Sequence, residues 1–260
     1  MSTIGSRALG WSAAVGLALT AWMALVASPA DVLQGDAVRL MYVHVPTAWL
    51  AMYLSFGVTT LASVLYLWKR TRRQFWDLVA GSSAEIGVVF IGLTLITGSI
   101  WGRPTWGVWW TWDARLTSTA VLFVLYLGYL AIRRVPAEPH VRARRSAIVA
   151  LAAFVDVPIV HMAVDWWRTL HQEASVLDQR RLGDPQITGV MLFTLLLAVL
   201  AFTLLYFWLL VHRYRLARVE EEAEAARLEQ ALAERRAEGA DTAPAAGGAA
   251  PEPDVEMTTS

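Results

Sequence analysis

Two histidines, His44 and His171, each lie beside an apolar run of the chain, and a cluster of tryptophans lies between them in sequence. Imidazole nitrogen is a common axial ligand of heme iron. Indole rings can stack on a flat aromatic molecule, and arginines can pair with its carboxylates through bidentate hydrogen bonds. These residue types predict a site for a flat aromatic ligand that carries a metal, and heme fits best. Zinc fits less well, because no third ligand stands at metal-binding spacing.

The tryptophan cluster lies in residues 99–119, which hold five of the 13 tryptophans in the chain: Trp101, Trp106, Trp109, Trp110 and Trp112. Indoles also anchor proteins at membrane interfaces, but one or two at each helix end suffice for that. The spacing of Trp106, Trp109 and Trp110 predicts that a short helix would place them on one face. The density of the cluster favours a binding surface.

Polar and aromatic residues next to the cluster and next to His171 complete the candidate site. Asp113 could cap the following helix or face the ligand, and the sequence leaves both roles open. Arg115 could reach the membrane interface or, like Arg168, pair with a carboxylate of the ligand. Paired tryptophans, Trp166 and Trp167, directly precede Arg168 and add to the aromatic surface.

The composition indicates that membrane-spanning helices position these residues. The chain has 260 residues, of which 56% are hydrophobic and 17% charged, and its mean hydropathy is +0.44. Stretches of about 17 to 25 apolar residues can cross a bilayer as helices. Six such runs occur, at Leu9–Ala27, Val45–Trp68, Leu78–Ile100, Leu116–Ile132, Ala147–Val164 and Ile187–Val211. The predicted fold is therefore an all-α bundle of six transmembrane helices.

The distribution of basic residues predicts the orientation of this bundle. Lys69–Arg73 and Arg133–Arg145 follow the second and fourth runs, and basic loops favour the cytoplasm. Both termini are then cytoplasmic, and the outer connections are residues 28–44, 99–116 and 165–186. His44 is expected at the outer start of a helix, with Pro46 in its first turn.

Three regions follow from the same patterns. Residues 1–218 form the predicted membrane domain. Residues 219–238 are rich in Glu and Ala and predict a charged cytoplasmic extension of the last helix. Residues 239–260 lack an apolar period and predict a disordered tail.

Three ionisable residues fall within the predicted spans: Glu85, Asp156 and His161. Such residues are costly in a membrane and are site candidates by default, although His161 is expected to be a core histidine. Two other classes of protein therefore stay open. One is an electron-transfer subunit with b-type hemes, and the other is a small-solute transporter that couples through Glu85 and Asp156. The absence of cysteine means that any heme is held noncovalently.

Three motifs resemble one known family. The segment Trp101–Thr117 resembles the tryptophan-rich WWD signature of heme-handling proteins of cytochrome c biogenesis. Within that group, Met41–Pro46 and Trp166–Gln172 are similar to the two outer histidine motifs of the six-span heme exporter protein C family. The resemblance covers roughly residues 35 to 210.

This resemblance implies a protein of the bacterial inner membrane that serves System I cytochrome c maturation. His44 and His171 would be axial ligands of a noncovalent heme b, and the platform would be formed by Trp106, Trp109, Trp110, Trp112 and Asp113. The implied partners are a periplasmic heme chaperone, an ATP-binding cassette complex and a small membrane subunit, besides membrane lipid, with no nucleic acid. Since no hydrolase or ATPase motif is visible, any enzymatic activity would be heme transfer.

Overall fold

The computed structural model describes residues 3–172 and 187–241, with side chains up to residue 238, and the regular structure of these residues is helical. Six helices among them are long and apolar enough to cross a membrane. They are Thr3–Ala27, Asp36–Leu67, Gln74–Trp106, Ala114–Arg134, Pro139–Trp166 and Gly189–Glu238. The predicted all-α fold with six spans is confirmed.

The first two spans contain irregular turns. Helix α1 (Thr3–Trp22) continues as a π-helix over Met23–Ala27. The second span opens with a 3-10 turn (Asp36–Leu40) and then forms α2 (Met41–Trp49), a π-helix (Leu50–Ser55) and α3 (Phe56–Leu67). Because π-helical turns shift the direction of every side chain beyond them, this segment changes which residues α3 presents to its neighbours.

The second span begins before His44, so the predicted first turn at Pro46 is wrong, and so is the outer loop as far as residue 44. Arg39 allows the earlier start, because it pairs with Asp36 at 2.9 Å and donates to the carbonyl of Ala24. The next turn is also buried: Val38 and Tyr42 pack in an apolar cluster with Ala24. His44 therefore lies within a helix rather than at its start.

Helix α4 (Gln74–Trp106) extends past the predicted end at Ile100. Trp101 and Trp106 are therefore helical, and Arg103 and Pro104 lie in the last turn of the helix. The helix ends at Gly107, whose φ of 79° is left-handed and whose N–H donates to the Arg103 carbonyl at 3.1 Å. Only residues 107–113 form the connection to the next helix.

The remaining helices are α5 (Ala114–Arg134), α6 (Pro139–Phe154), α7 (Asp156–Trp166) and α8 (Gly189–Asp241). The chain divides into two compact units, Met1–Ala217 and Arg218–Ser260. Residues 239–241 are helical, so the predicted tail is wrong there, and residues 242–260 lie outside the described residues. The same is true of residues 173–186 of the third outer connection.

The centre of the first unit is packed by aromatic rings and interhelical hydrogen bonds. The rings of Phe56 and Tyr126 stack with centroids 3.5 Å apart, joining α3 to α5. Ser83 on α4 donates to the Ser55 carbonyl at 2.7 Å and bonds the Tyr206 hydroxyl at 2.8 Å. These contacts hold α4 against the second span. The resulting register places Thr97 and Gly98 of α4 beside the His44 ring.

Candidate functional site

His44 is held in one tautomer by α4. Its Nδ1 lies 3.1 Å from the Thr97 hydroxyl oxygen. The hydrogen of that hydroxyl is donated to the Leu93 carbonyl at 2.7 Å, so the oxygen accepts from the imidazole. Nδ1 therefore carries the proton and Nε2 keeps its lone pair, which is the arrangement a metal-binding histidine needs.

His171 lies beyond the end of α7 and has the same arrangement. Its Nδ1 lies 2.8 Å from the carbonyl oxygen of Gln172, which can only accept, so Nδ1 is again the protonated nitrogen. Burial, helped by the charge of Arg115, lowers the pKa of His171 from 6.5 to about 4. The ring is thus neutral at neutral pH, and its Nε2 is free to ligate.

The two imidazole rings lie close to each other. Their centroids are 6.3 Å apart and their planes are tilted by 36°. Two imidazoles on opposite sides of one metal ion have ring centres about 6 Å apart, since each bond is about 2.0 Å long in zinc sites. The spacing and the donor atoms therefore fit a single ion with two axial ligands. Within the described residues, no group of three or more histidine, cysteine or carboxylate side chains is placed to hold a metal.

Two of the predicted tryptophans contact this histidine pair. The Trp101 ring meets His44 edge-on at 5.7 Å, and Trp106 meets His171 at 6.3 Å. Trp101 is fixed by its Nε1, which donates to Gln34 at 2.8 Å. These two rings enclose the histidines from α4.

The residues after Gly107 are arranged differently from the prediction. Residues 108–113 are not helical, so Trp109 and Trp110 do not share a helix face with Trp106. Trp109 and Trp112 are 59% and 81% exposed, and Trp112 meets Trp110 edge-on at 5.6 Å. Within the described residues, no ring contact joins these three indoles to either histidine. Trp109 and Trp112 form an outward apolar surface, whereas Trp110 is half-buried.

Asp113 links two parts of the site. Its Oδ1 accepts from the Leu116 N–H at 2.9 Å, which confirms the capping role at the start of α5. Its Oδ2 accepts from the Leu170 N–H at 3.0 Å, one residue before His171. One carboxylate therefore ties the tryptophan-rich connection to the segment that carries the second histidine.

Arg115 is half-buried in the first turn of α5, and its charge acts on both His44 and His171. Asp113 and Asp165 lie within its electrostatic range, yet among the described residues no carboxylate approaches Arg115 within the 4.0 Å of an ion pair. Its guanidinium is placed to receive an anion.

Trp166, Trp167 and Arg168 lie at the outer end of α7. The two indoles meet edge-on at 5.6 Å and are 56% and 51% exposed. Arg168 is exposed as well. The described contacts do not join these three side chains to the histidine rings, so they border the site on its outer side.

The three ionisable residues within the spans have separate environments. Glu85 pairs with Arg213, whose Nη2 lies 3.0 Å from Oε1. Asp156 is buried, and its Oδ2 has no hydrogen-bond partner among the described residues. His161 is exposed and lies 2.5 Å from the Tyr53 hydroxyl, so the expected core role of this histidine is wrong.

The sequence pattern did not reveal Thr97 and Gly98 as site residues. Thr97 fixes the His44 tautomer, and Gly98 gives the ring room: a Cβ on Gly98 would lie 2.9 Å from His44 Cε1. Both residues look like ordinary small residues of an apolar helix. Only the register between α2 and α4 shows their role.

Comparison with known proteins identifies the family of the chain. The family model of heme exporter protein C (CcmC) matches residues 1–229. Heme exporter protein C of Bradyrhizobium diazoefficiens is 42% identical over 205 residues, which are 77% of this chain and 75% of that protein. The Haemophilus influenzae protein of the same name is 41% identical over 200 residues, 77% of this chain and 79% of the relative. The Escherichia coli protein is 39% identical over 152 residues, 58% of this chain and 61% of the relative.

Proposed function

The chain belongs to the heme exporter protein C family, and on that basis we propose that it binds heme between His44 and His171 and presents it to a periplasmic heme chaperone. It is a multi-pass protein of the bacterial inner membrane that serves heme handling in cytochrome c biogenesis. In the proposed orientation both termini are cytoplasmic and the histidine pair faces the periplasm.

The histidine pair carries the proposal. Both rings direct the Nδ1 proton to an oxygen of the protein and keep Nε2 unprotonated, and they lie 6.3 Å apart. A buried structural histidine would need only one satisfied nitrogen, whereas two matched rings at this distance suit axial ligation of one iron. The heme is proposed to be heme b, held without covalent bonds because the chain has no cysteine.

The tryptophans supply the surface on which the porphyrin rests. Trp101 and Trp106 enclose the ligands, and Trp109 and Trp112 expose large apolar faces next to them. Exposed apolar patches of this kind mark binding surfaces. We assign Trp109, Trp110 and Trp112 to the platform that the chaperone meets, with Trp166, Trp167 and Arg168 on its border.

Positioning is the chemical contribution of this chain. A heme fixed by two ligands exposes one edge to the chaperone, which converts a chance encounter into an oriented reaction. The chaperone then supplies its own nucleophile, and the ATP-binding cassette complex supplies ATP hydrolysis with the small membrane subunit beside it. Arg115 has the charge and position to hold a heme carboxylate.

The proposal is tested by the absorption spectrum of the protein purified in detergent after expression with ample heme. We expect a Soret band in the unaltered protein and loss of most of the bound heme in His44→Ala and His171→Ala. Each alanine leaves room for free imidazole, so added imidazole should restore part of the band. His140→Ala is the matched control, since His140 is an exposed histidine at the start of α6.

Two results would count against different parts of the proposal. Absence of a Soret band in the unaltered protein would contradict heme binding altogether. Heme content and spectrum unchanged in both alanine variants would contradict the ligand assignment alone.

A further inference from the structure

Tyr53 and His161 form a hydrogen-bonded pair below the histidine ligands. The Tyr53 hydroxyl lies 2.5 Å from His161 Nδ1, and the rings meet nearly at right angles, with centroids 5.8 Å apart. Tyr53 belongs to the π-helix Leu50–Ser55, which directs it toward α7, and its ring also contacts Trp49 at 5.1 Å. Both members of the pair are exposed, Tyr53 by 37%.

This pair always leaves one hydrogen-bond donor unused. If Tyr53 donates to Nδ1, the His161 proton lies on Nε2 and has no acceptor among the described residues. If Nδ1 donates instead, the Tyr53 hydroxyl hydrogen is the unused one. A polar group within a span is costly unless it faces a cavity or a polar partner. The pair is therefore expected to face a ligand that accepts hydrogen bonds.

Arg115 adds a positive charge at the same place. Its guanidinium interacts electrostatically with Tyr53 as well as with the two histidine ligands. Helix α5, which carries Arg115, packs against α7, which carries His161. Arg115, which has no ion-pair partner among the described residues, thus lies within electrostatic range of Tyr53, and a carboxylate matches the chemistry of the cation and the two hydrogen-bonding side chains.

The depth of the location follows from the helices. Tyr53 lies nine residues beyond His44, which is roughly 13 Å along a helix. His161 lies five residues before the end of α7, on the same inner side of His171. Tyr53 and His161 therefore lie deeper in the proposed membrane than the proposed histidine ligands. They are at one edge of a molecule bound between those ligands.

We propose that Tyr53, His161 and Arg115 form a carboxylate subsite that receives the propionates of the porphyrin held between His44 and His171. The inference rests on the proposed function. It orients the ligand with its propionate edge toward the membrane interior and its vinyl groups toward the periplasmic side, where the chaperone must reach them. It also explains why a tyrosine and a histidine lie exposed within two spans.

The test compares two ligands that differ only in their propionates. Heme and heme dimethyl ester are titrated into the purified, heme-free protein in detergent, and binding is followed by the Soret band. We expect Tyr53→Phe and His161→Phe each to weaken heme binding about tenfold, since a hydrogen bond to a charged group is lost. Binding of the ester should change less than twofold. His161→Gln, which keeps a donor, should bind heme better than His161→Phe.

Tyr206→Phe is the matched control, because it removes a buried tyrosine hydroxyl that bonds Ser83 elsewhere in the bundle. It should leave the affinity for both ligands unchanged. Equal weakening of heme and ester by Tyr53→Phe, or no weakening of either, would overturn the subsite. If the unaltered protein binds neither heme nor the ester, that result would instead contradict the proposed function, so the two failures are distinguishable.

Discussion

Replacing Gly98 with alanine should weaken heme binding without weakening the fold. The added Cβ would lie 2.9 Å from His44 Cε1, whereas ordinary contacts begin at 3.4 Å. The ring must therefore move by about 0.5 Å, which is the tolerance within which a functional side chain has to be held. In the heme-free protein the ring is the far end of a side chain and can turn away. When the His44 ring is bound to iron, it cannot turn away, and the clash with the added Cβ remains.

The expected magnitude follows from two costs. Moving the ring breaks or lengthens the hydrogen bond to Thr97, now 3.1 Å, which is worth about 1 kcal/mol. Forcing the ring off its preferred rotamer costs about 1 kcal/mol more. The total of about 2 kcal/mol corresponds to about a thirtyfold increase in the Kd for heme.

The assay is a heme titration of the purified variant beside its thermal unfolding without heme. Alanine is favoured over glycine within a helix by up to about 1 kcal/mol, so the Tm should be unchanged or higher. Gly92→Ala is the matched control on the same helix, because its Cβ would lie 3.6 Å from Phe123, an ordinary contact. Wild-type heme affinity in Gly98→Ala would refute the idea that the His44 ring is fixed in its present position by α4.

Two further predictions concern the tryptophan-rich connection. Asp113→Ala should lower the free energy of unfolding by about 1 kcal/mol, because the α5 cap is lost. It should also weaken heme retention, because the Leu170 N–H loses its acceptor. Heme retention equal to wild type would contradict this second effect. Trp109→Ala combined with Trp110→Ala should abolish loading of the chaperone while the Soret band stays; normal loading would exclude both indoles from transfer.

The number of helices could be predicted from the sequence, but their ends could not. Hydropathy detects a span because about 20 apolar residues are needed to cross the bilayer core. The predicted ends at Val45 and Ile100 leave Arg39 and Arg103 outside the apolar runs. Both arginines bond nearby carbonyls, of Ala24 and Gly107, so their charges are accommodated within the helical turns. Pairing of this kind depends on tertiary contacts that a hydropathy window does not include.

The sequence predicts only part of the candidate site, because the rest of the site depends on tertiary contacts. The two proposed histidine ligands follow from residue type and from the side of the membrane on which each is expected. Thr97 and Gly98 could not be predicted, because they act through the register between α2 and α4. The expected shared face of Trp106 and Trp109 failed because Gly107 ends the helix with a positive φ. The core role predicted for His161 was wrong because a π-helix directs Tyr53 toward it, and no sequence pattern predicts that π-helix.

Asp113 shows why an acid follows the tryptophan cluster. A cap of α5 alone would need only one oxygen, and serine or asparagine would serve as well. The second oxygen accepts the Leu170 N–H at 3.0 Å, which holds the segment that carries His171. His171 lies outside the described helices, unlike His44, and among the described residues its ring forms a hydrogen bond only to the neighbouring Gln172 carbonyl. Since the spacing of the two rings depends on this segment, the carboxylate that caps α5 also sets the distance between the proposed ligands.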